Sequence, residues 1–140
     1  MIPPLPLVPA KAEFLADGTL YSSRFDDVYA SAGGALDETR HVFLTGNGLP
    51  ERWKGQPSFV IVETGFGTGL NFLATWAAWR ETAAPGACLH FISVEKHPFR
   101  REDLPRVLAR WPGLAALASD LIEEYPPLVP GFHRLNFAGG

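Results

Sequence analysis

The chain has 140 residues and a net charge of -3 at neutral pH, with 46% hydrophobic and 19% charged residues. This length predicts one domain, and the composition excludes an intrinsically disordered chain. A negative net charge argues against a protein that holds nucleic acid through a basic surface alone. No apolar run reaches the length of about 18 residues that a membrane span needs, and prolines interrupt the apolar start, so we expect neither a span nor a signal peptide. The single cysteine, Cys88, leaves no internal disulfide, and we expect a cytoplasmic protein.

The first 57 residues predict an N-terminal extension made of a hairpin and a helix. In chain order we expect an extended lead-in, a hairpin or irregular strand, a helix and a polar loop, over residues 1–13, 19–31, 35–45 and 49–57. Asp37 and Glu38 fall in the first turn of that helix, where its dipole favours negative charge. The glycines of residues 46–48 are typical of its end.

Residues 58–140 show strands alternating with helices, which predicts an α/β fold with a parallel sheet. Short apolar runs rich in β-branched residues predict buried strands, the second of which begins at Cys88, expected to be buried as well. The expected strands are 58–64, 88–95 and 132–137, and the expected helices are 70–83, 103–111 and 114–124. The sheet would therefore be incomplete, with about three core strands.

A glycine turn, Glu63-Thr64-Gly65-Phe66-Gly67-Thr68-Gly69-Leu70-Asn71, lies between the first of these strands and the helix after it. That context raises a glycine pattern above chance. We expect Gly65 to allow the sharp turn, Gly67 to allow close approach of a ligand, and Gly69 to allow tight packing of helix on strand.

The spacing of the glycines separates two classes of cofactor. A dinucleotide fingerprint requires a third glycine at position 70, which is Leu70. The observed E-x-G-x-G-x-G pattern is the one that methyltransferases use for S-adenosylmethionine. Because that cofactor carries a sulfonium and an ammonium group, a carboxylate at the strand end, Glu63, is favourable to it, whereas a pyrophosphate prefers a bare helix N-terminus.

A second carboxylate, Glu95, ends the second strand, where it can accept hydrogen bonds from both ribose hydroxyls of a nucleoside. Lys96 follows it and is a candidate to flank the adenine. The alternative interpretation is a glycine turn that only packs a helix, with Glu95 as a solvated strand end.

The remaining polar residues support no second site. The four histidines lack metal-ligand spacing, so no metal site is predicted. Four arginines, Arg100, Arg101, Arg106 and Arg110, either contact the phosphates of a nucleic acid or form a solvated face balanced by acidic neighbours. Asn47 is a candidate to bond either a loop backbone or the cofactor, and Tyr29 to close over the cofactor.

Four stretches of the sequence together resemble the methyltransferase domain of the bifunctional tRNA 5-methylaminomethyl-2-thiouridine biosynthesis proteins, the MnmC family. They are Asp27-Val28-Tyr29 with Ser31, then Glu38-Thr39-Arg40 through Phe43-Leu44 to Gly46-Asn47, then residues 63–73 (ETGFGTGLNFL), and then residues 93–98 (SVEKHP). The resemblance spans roughly residues 19–137.

The resemblance implies a class I methyltransferase of Rossmann-like fold. It would move a methyl group from S-adenosylmethionine to the amine of 5-aminomethyluridine at the wobble position of tRNA. It further implies Glu63, Gly65, Gly67, Gly69, Asn71, Glu95 and Lys96 as cofactor-binding residues. Larger members of the family carry an FAD-dependent oxidase domain, which nothing here matches, so FAD is expected only if such a domain exists elsewhere in the full protein.

The family's chain continues past the region matched here, with a third-strand acidic residue and a fourth-strand Asp-Gly-Phe segment at the reaction centre. We therefore expect a truncated form that holds the first half of the cofactor site, and we name no catalytic residue. The edge of strand 58–64 would be apolar and unpaired, which predicts a chain that is poorly stable or self-associates. The alternatives are an inactive nucleoside-binding remnant or interaction module, and a nicotinamide-dependent oxidoreductase, which the absence of a glycine at position 70 disfavours.

Overall fold

The computed structural model describes residues 6–30 and 34–138. Within these, the N-terminal region forms a small antiparallel sheet in the order β1-β2-β3. Its strands are β1 (Glu13–Phe14), β2 (Leu20–Ser22) and β3 (Asp27–Ala30). The hairpin expected over residues 19–31 is thus confirmed, and β1 adds a strand to it. Ser31, part of the resemblance, lies outside the described residues.

The helix expected over residues 35–45 begins at the predicted residue but changes its winding. An α-helical turn, α1 (Ala35–Glu38), continues as a π-helical segment, Thr39–Leu44, and ends in a 3₁₀ turn, Thr45–Asn47. The wide turns of the π-helical segment leave backbone carbonyls that need a hydrogen-bond donor. The Asn47 side chain donates to the Phe43 carbonyl at 2.7 Å, so this asparagine bonds the backbone of its own helix rather than the backbone of a loop.

The region 49–57 is only partly the polar loop that the sequence predicted. A 3₁₀ turn, Glu51–Trp53, places Trp53 inside the protein with 0% of its surface exposed. Its ring packs edge-on against Trp79, with 5.3 Å between the ring centroids. This loop therefore contributes a core residue.

The strand-turn-helix-strand unit at the centre of the prediction is confirmed. It consists of β4 (Ser58–Thr64), α2 (Leu70–Thr82) and β5 (Cys88–Val94). The two strands pair in parallel, from Ser58 opposite Cys88 to Thr64 opposite Val94. The C-terminal ends of both strands thus lie side by side next to the glycine turn.

The expected third strand over residues 132–137 is wrong. This segment pairs with no described strand, so the parallel sheet of the described residues has two strands, not about three. Instead of joining β5, the segment lies against α2, where the Phe137 ring is 4.7 Å from the Trp76 ring. A strand pattern becomes a strand only beside a partner strand, and packing of Phe137 on the helix provides a different place for the apolar residue.

The expectation that β4 and β5 are fully buried is also wrong, because the helices of the described residues cover one face of the sheet. Phe59, Ile61 and Phe91 point into the two hydrophobic clusters. On the other face four apolar side chains are about half exposed or more: Val60 (56%), Val62 (68%), Ile92 (48%) and Val94 (65%). Cys88 lies in the same alternation and is exposed, contrary to expectation.

Two short helices complete the described chain. They are α3 (Leu104–Leu108), entered through a 3₁₀ turn at Arg101–Asp103, and α4 (Ala115–Glu124), entered through another at Pro112–Leu114. Both are close to the predicted positions, although α3 is shorter. Leu104, Val107 and Leu121 are fully buried against α2 and β2 in the larger cluster, which thereby joins residues from before and after position 57. In the described part of the chain, every helix is too short or too polar to cross a bilayer.

Candidate functional site

A cavity of about 310 Å³ lies between the glycine turn and the N-terminal elements. Its volume falls at the lower end of the range of about 300–1,000 Å³ that small-molecule sites occupy. Its lining combines the glycine turn with β3, α1 and the π-helical segment: Tyr29, Ala35, Glu38, Thr39, Val42, Phe43, Gly65, Phe66, Gly67, Thr68, Leu70 and Asn71. Backbone, aromatic and polar groups therefore meet around one space.

The glycine turn is held by backbone conformations that side chains disfavour. Gly67 has a φ of +55° and Gly69 a φ of +81°, both in the left-handed region. A Cβ on Gly67 would meet no atom within 4 Å, whereas a Cβ on Gly69 would lie 2.9 Å from the Phe66 ring and 3.2 Å from Leu121. Gly69 thus permits close packing against Phe66 and α4, not against the strand as predicted, while Gly67 leaves open space on the cavity side.

Glu95 ties the glycine turn to the end of β5. One of its carboxylate oxygens accepts a hydrogen bond from the Gly67 backbone N–H at 2.9 Å, and the other accepts one from the His97 N–H at 2.6 Å. Lys96, which lies between Glu95 and His97 in the sequence, is exposed. The position expected for a ribose-binding carboxylate is therefore beside the turn, with one protein donor already on each oxygen.

Glu63 is buried, with 6% of its surface exposed, and its two carboxylate oxygens are bound by neighbouring elements. Asn71 of α2 donates its Nδ2–H to one oxygen at 3.0 Å, and Ser93 of β5 donates its hydroxyl to the other at 2.8 Å. Burial raises the pKa of the Glu63 carboxyl; the two hydrogen bonds oppose this, and the charge of Glu95 adds to it. Glu63 therefore acts as a buried tie between β4, β5 and α2.

The raised pKa of Glu63 predicts a pH dependence of stability. Since the folded protein holds this proton more tightly than the unfolded chain, the contribution of Glu63 is largest below its unfolded pKa and declines as the pH rises through the folded pKa. We expect the wild-type chain to gain stability relative to Glu63→Gln as the pH falls from about 7 to about 5. Urea unfolding of both proteins at the two pH values measures this; a constant difference between them would contradict it.

Tyr125, which the sequence did not single out, lies near enough to Glu95 to feel its charge. Burial, and then the charge of Glu95, raise the pKa of Tyr125 to about 12. The phenol therefore stays protonated under ordinary conditions, and its ring packs against Phe66 of the glycine turn, with 6.5 Å between the centroids.

The arginines considered for tRNA contact are partly engaged within the fold. Arg101 donates to the backbone carbonyls of Glu123 and Tyr125 at 2.6 and 2.7 Å, at the end of α4. Arg106 donates to the Ala12 carbonyl at 2.7 Å. Arg101 and Arg106 therefore bind backbone carbonyls within the fold, a role that the solvated-face interpretation did not include.

Comparison of the sequence with known proteins identifies relatives of this chain. No family model matches the chain. Among curated proteins, relatives from Azoarcus sp. (strain BH72) and Thiobacillus denitrificans (strain ATCC 25259 / T1) are each 57% identical to it, over 136 and 134 residues. One from Aromatoleum aromaticum (strain DSM 19018 / LMG 30748 / EbN1) is 56% identical over 138 residues. All three are named tRNA 5-methylaminomethyl-2-thiouridine biosynthesis bifunctional protein MnmC.

These matches cover 96–97% of this chain and 21–22% of each relative. The chain is homologous to part of the MnmC proteins. The resemblance inferred from the motifs is thereby confirmed, and the chain spans about a fifth of the length of the curated MnmC relatives it matches.

Of the residues predicted for the cofactor, the structure places Gly65, Gly67 and Asn71 on the cavity. Glu63, Gly69, Glu95 and Lys96 adjoin the turn without lining that space. The sequence reasoning missed the opposite set of lining residues, Ala35, Glu38, Thr39, Val42 and Phe43. The signal was present, because most of that set lies in a stretch already quoted for its MnmC resemblance.

Proposed function

We propose that the chain is part of an S-adenosylmethionine-dependent methyltransferase that converts 5-aminomethyluridine to 5-methylaminomethyluridine at the wobble position of tRNA. The observation that carries the proposal is the cavity beside the glycine turn. The E-x-G-x-G-x-G pattern forms that turn. The homology to MnmC proteins, which are named for biosynthesis of a 5-methylaminomethyl nucleoside in tRNA, supports the same reaction. A tRNA substrate would place the protein in the cytoplasm.

The residues present fit such a cofactor. Gly65 and Gly67 carry no side chain into the space beside the turn, since a Cβ on either would meet nothing within 4 Å. Glu95 retains lone pairs for ribose hydroxyls, Lys96 follows it toward the adenine, and Asn71 lines the cavity while Glu63 fixes its amide. The bound cofactor would supply an electrophilic methyl group on a positively charged sulfur.

The contribution of this chain to the chemistry is to bind and position. Methyl transfer to an amine is an in-line displacement, for which orientation and exclusion of water supply much of the acceleration. Tyr29 and the π-helical segment form one wall of the cavity. The acceptor amine must be neutral to react. In the class I, Rossmann-like arrangement that we propose, groups acting on that amine lie outside the part described here.

The alternatives give different binding properties. A remnant or interaction module without activity would bind a nucleoside and transfer nothing. A nicotinamide-dependent oxidoreductase would need the dinucleotide turn, but Leu70 stands at its third glycine position and is 6% exposed at the start of α2. The bifunctional name of the relatives is compatible with an FAD-dependent oxidase domain elsewhere in a longer protein.

Calorimetric titration with S-adenosylmethionine, with NAD as the comparator, tests the proposal. We expect saturable binding of S-adenosylmethionine alone, abolished by Gly67→Val, because a branched side chain would enter the cavity. Gly86→Val is the matched control: Gly86 also has a positive φ, +78°, and open space around it, but lies in the turn before β5. Binding of NAD, or equal loss in both variants, would contradict the proposal.

A further inference from the structure

Glu38 is an acidic residue on the wall of the cavity, and it is exposed. It is the last residue of α1 and lines the same space as Gly65, Gly67 and Asn71. Its backbone N–H is bound to the Gly34 carbonyl at 2.8 Å, which fixes the residue in the helix. Within the described ranges its carboxylate makes no hydrogen bond or ion pair, whereas neighbouring Asp37 faces Arg40 at 3.6 Å on the surface.

The other two carboxylates near the turn differ from Glu38 in both respects. Glu63 is buried and has a protein donor on each oxygen, and Glu95 holds the backbone amides of Gly67 and His97. Neither is among the residues that line the cavity. Among the described residues that line the cavity, Glu38 alone carries a formal charge, and that charge is negative.

The cavity also offers donors suited to a negative group. Thr68, two residues before the first residue of α2, and Asn71, the second residue of α2, both line the cavity, and their backbone amides donate to no acceptor in residues 6–30 and 34–138. Free amides at the start of a helix of this length favour an anion. One space therefore combines donors for an anion with a carboxylate for a cation, which is complementary to a zwitterionic α-amino acid.

We propose that Glu38 binds the α-ammonium group of the amino-acid part of S-adenosylmethionine and so positions the cofactor in the cavity. This inference rests on the proposed function and deepens it. It assigns to Glu38 the cationic end of the cofactor that the sequence alone favoured for Glu63. Glu63 then supports the site indirectly, by holding the Asn71 side chain.

The test compares ligands with and without the amino-acid part. S-adenosylmethionine and S-adenosylhomocysteine carry it, and 5′-deoxy-5′-methylthioadenosine keeps the nucleoside and sulfur without it. We expect Glu38→Gln to weaken binding of the first two by about tenfold or more, since a charge-assisted hydrogen bond is lost, and to leave the third within about twofold. Glu124→Gln, an exposed helical glutamate at the end of α4, is the matched control and should change none of the three.

Each outcome of the titrations distinguishes the two proposals. If wild-type chain binds S-adenosylmethionine and Glu38→Gln binds it equally well, the role of Glu38 is overturned and the proposed function stands. Equal weakening of all three ligands also overturns the role, because Glu38 would then act on the nucleoside or on the shape of the wall. Wild-type chain that is folded by circular dichroism and binds none of the three overturns both.

Discussion

Trp53→Ala is expected to lower the free energy of unfolding by about 3–5 kcal/mol, the range for removing a large aromatic side chain from a core. Trp53 is fully buried and packs edge-on against both Phe59 and Trp79, with ring centroids 5.9 and 5.3 Å away. Its indole N–H also donates to the Thr82 hydroxyl at 2.9 Å, which ties the 3₁₀ turn to the end of α2. The substitution therefore removes packing and a cross-link together.

Urea unfolding of three variants measures this effect. Trp53→Phe keeps an aromatic ring and is expected to lose less stability than Trp53→Ala. Phe132→Ala removes an aromatic side chain that is 106% exposed and is expected to change stability by less than about 0.5 kcal/mol. If Trp53→Ala and Phe132→Ala had similar unfolding midpoints, Trp53 would not be the core residue described here.

Self-association of the 140-residue chain is the second large effect expected, and the exposed apolar side chains make a face of the sheet a candidate contact beside its edge. Val60, Val62, Ile92 and Val94 alternate with residues that point toward the hydrophobic clusters, and together they present an exposed apolar patch. Parallel sheets are normally covered on both faces, and exposed apolar patches mark sites of association. We expect sedimentation velocity to show larger species as the protein concentration rises.

A charged double variant on that face separates the two possible contacts. Val62→Lys with Val94→Glu adds no net charge and leaves the backbone edges of β4 and β5 unaltered, and we expect it to sediment as a monomer. Val129→Lys with Phe132→Glu, at exposed positions outside the sheet, is the control and should associate like wild type. If the sheet variant still associates, the contact lies at the edge of β4 and not on the face. If the wild-type chain is a monomer at every concentration, the prediction is refuted.

The central unit of the fold could be predicted because its signals are local. A run of β-branched residues over 58–64, a glycine turn and an apolar helix follow each other without interruption, and each boundary agrees with the structure within about one residue. The glycine turn could be predicted for the same reason. The left-handed conformations of its glycines are properties of single residues, and a sequence displays these directly.

Burial was harder to predict because it depends on what lies opposite. The apolar runs of β4 and β5 show which side chains favour burial, but Val62 and Val94 are exposed because no described helix covers them. Phe132 and Phe137 fit a strand pattern, yet the second of them packs on α2. Trp53 sits in a stretch of polar residues, and only its position beside Trp79 makes it part of the core.

The site was predicted on one side only, for a related reason. The glycine turn and Glu95 belong to adjacent strand ends, which a parallel sheet brings together. The contacts of Glu63 with Asn71 and Ser93 needed the register of β4 against β5. The wall around Glu38 required knowing that the π-helical segment returns to the turn, and π-helical winding has no sequence signature comparable to a glycine turn.

The division of the chain at residue 57 stays a prediction, and the cavity bears on what such a division means. One wall comes from Tyr29 and residues 35–43 and the other from residues 65–71, so the space exists only where both segments meet. Replacing the first segment by that of a homologue would therefore replace half of a binding site, not a region independent of the site. We therefore expect the residues of the two walls to change together over evolution, because a substitution on either one alters the shape that the other must complement.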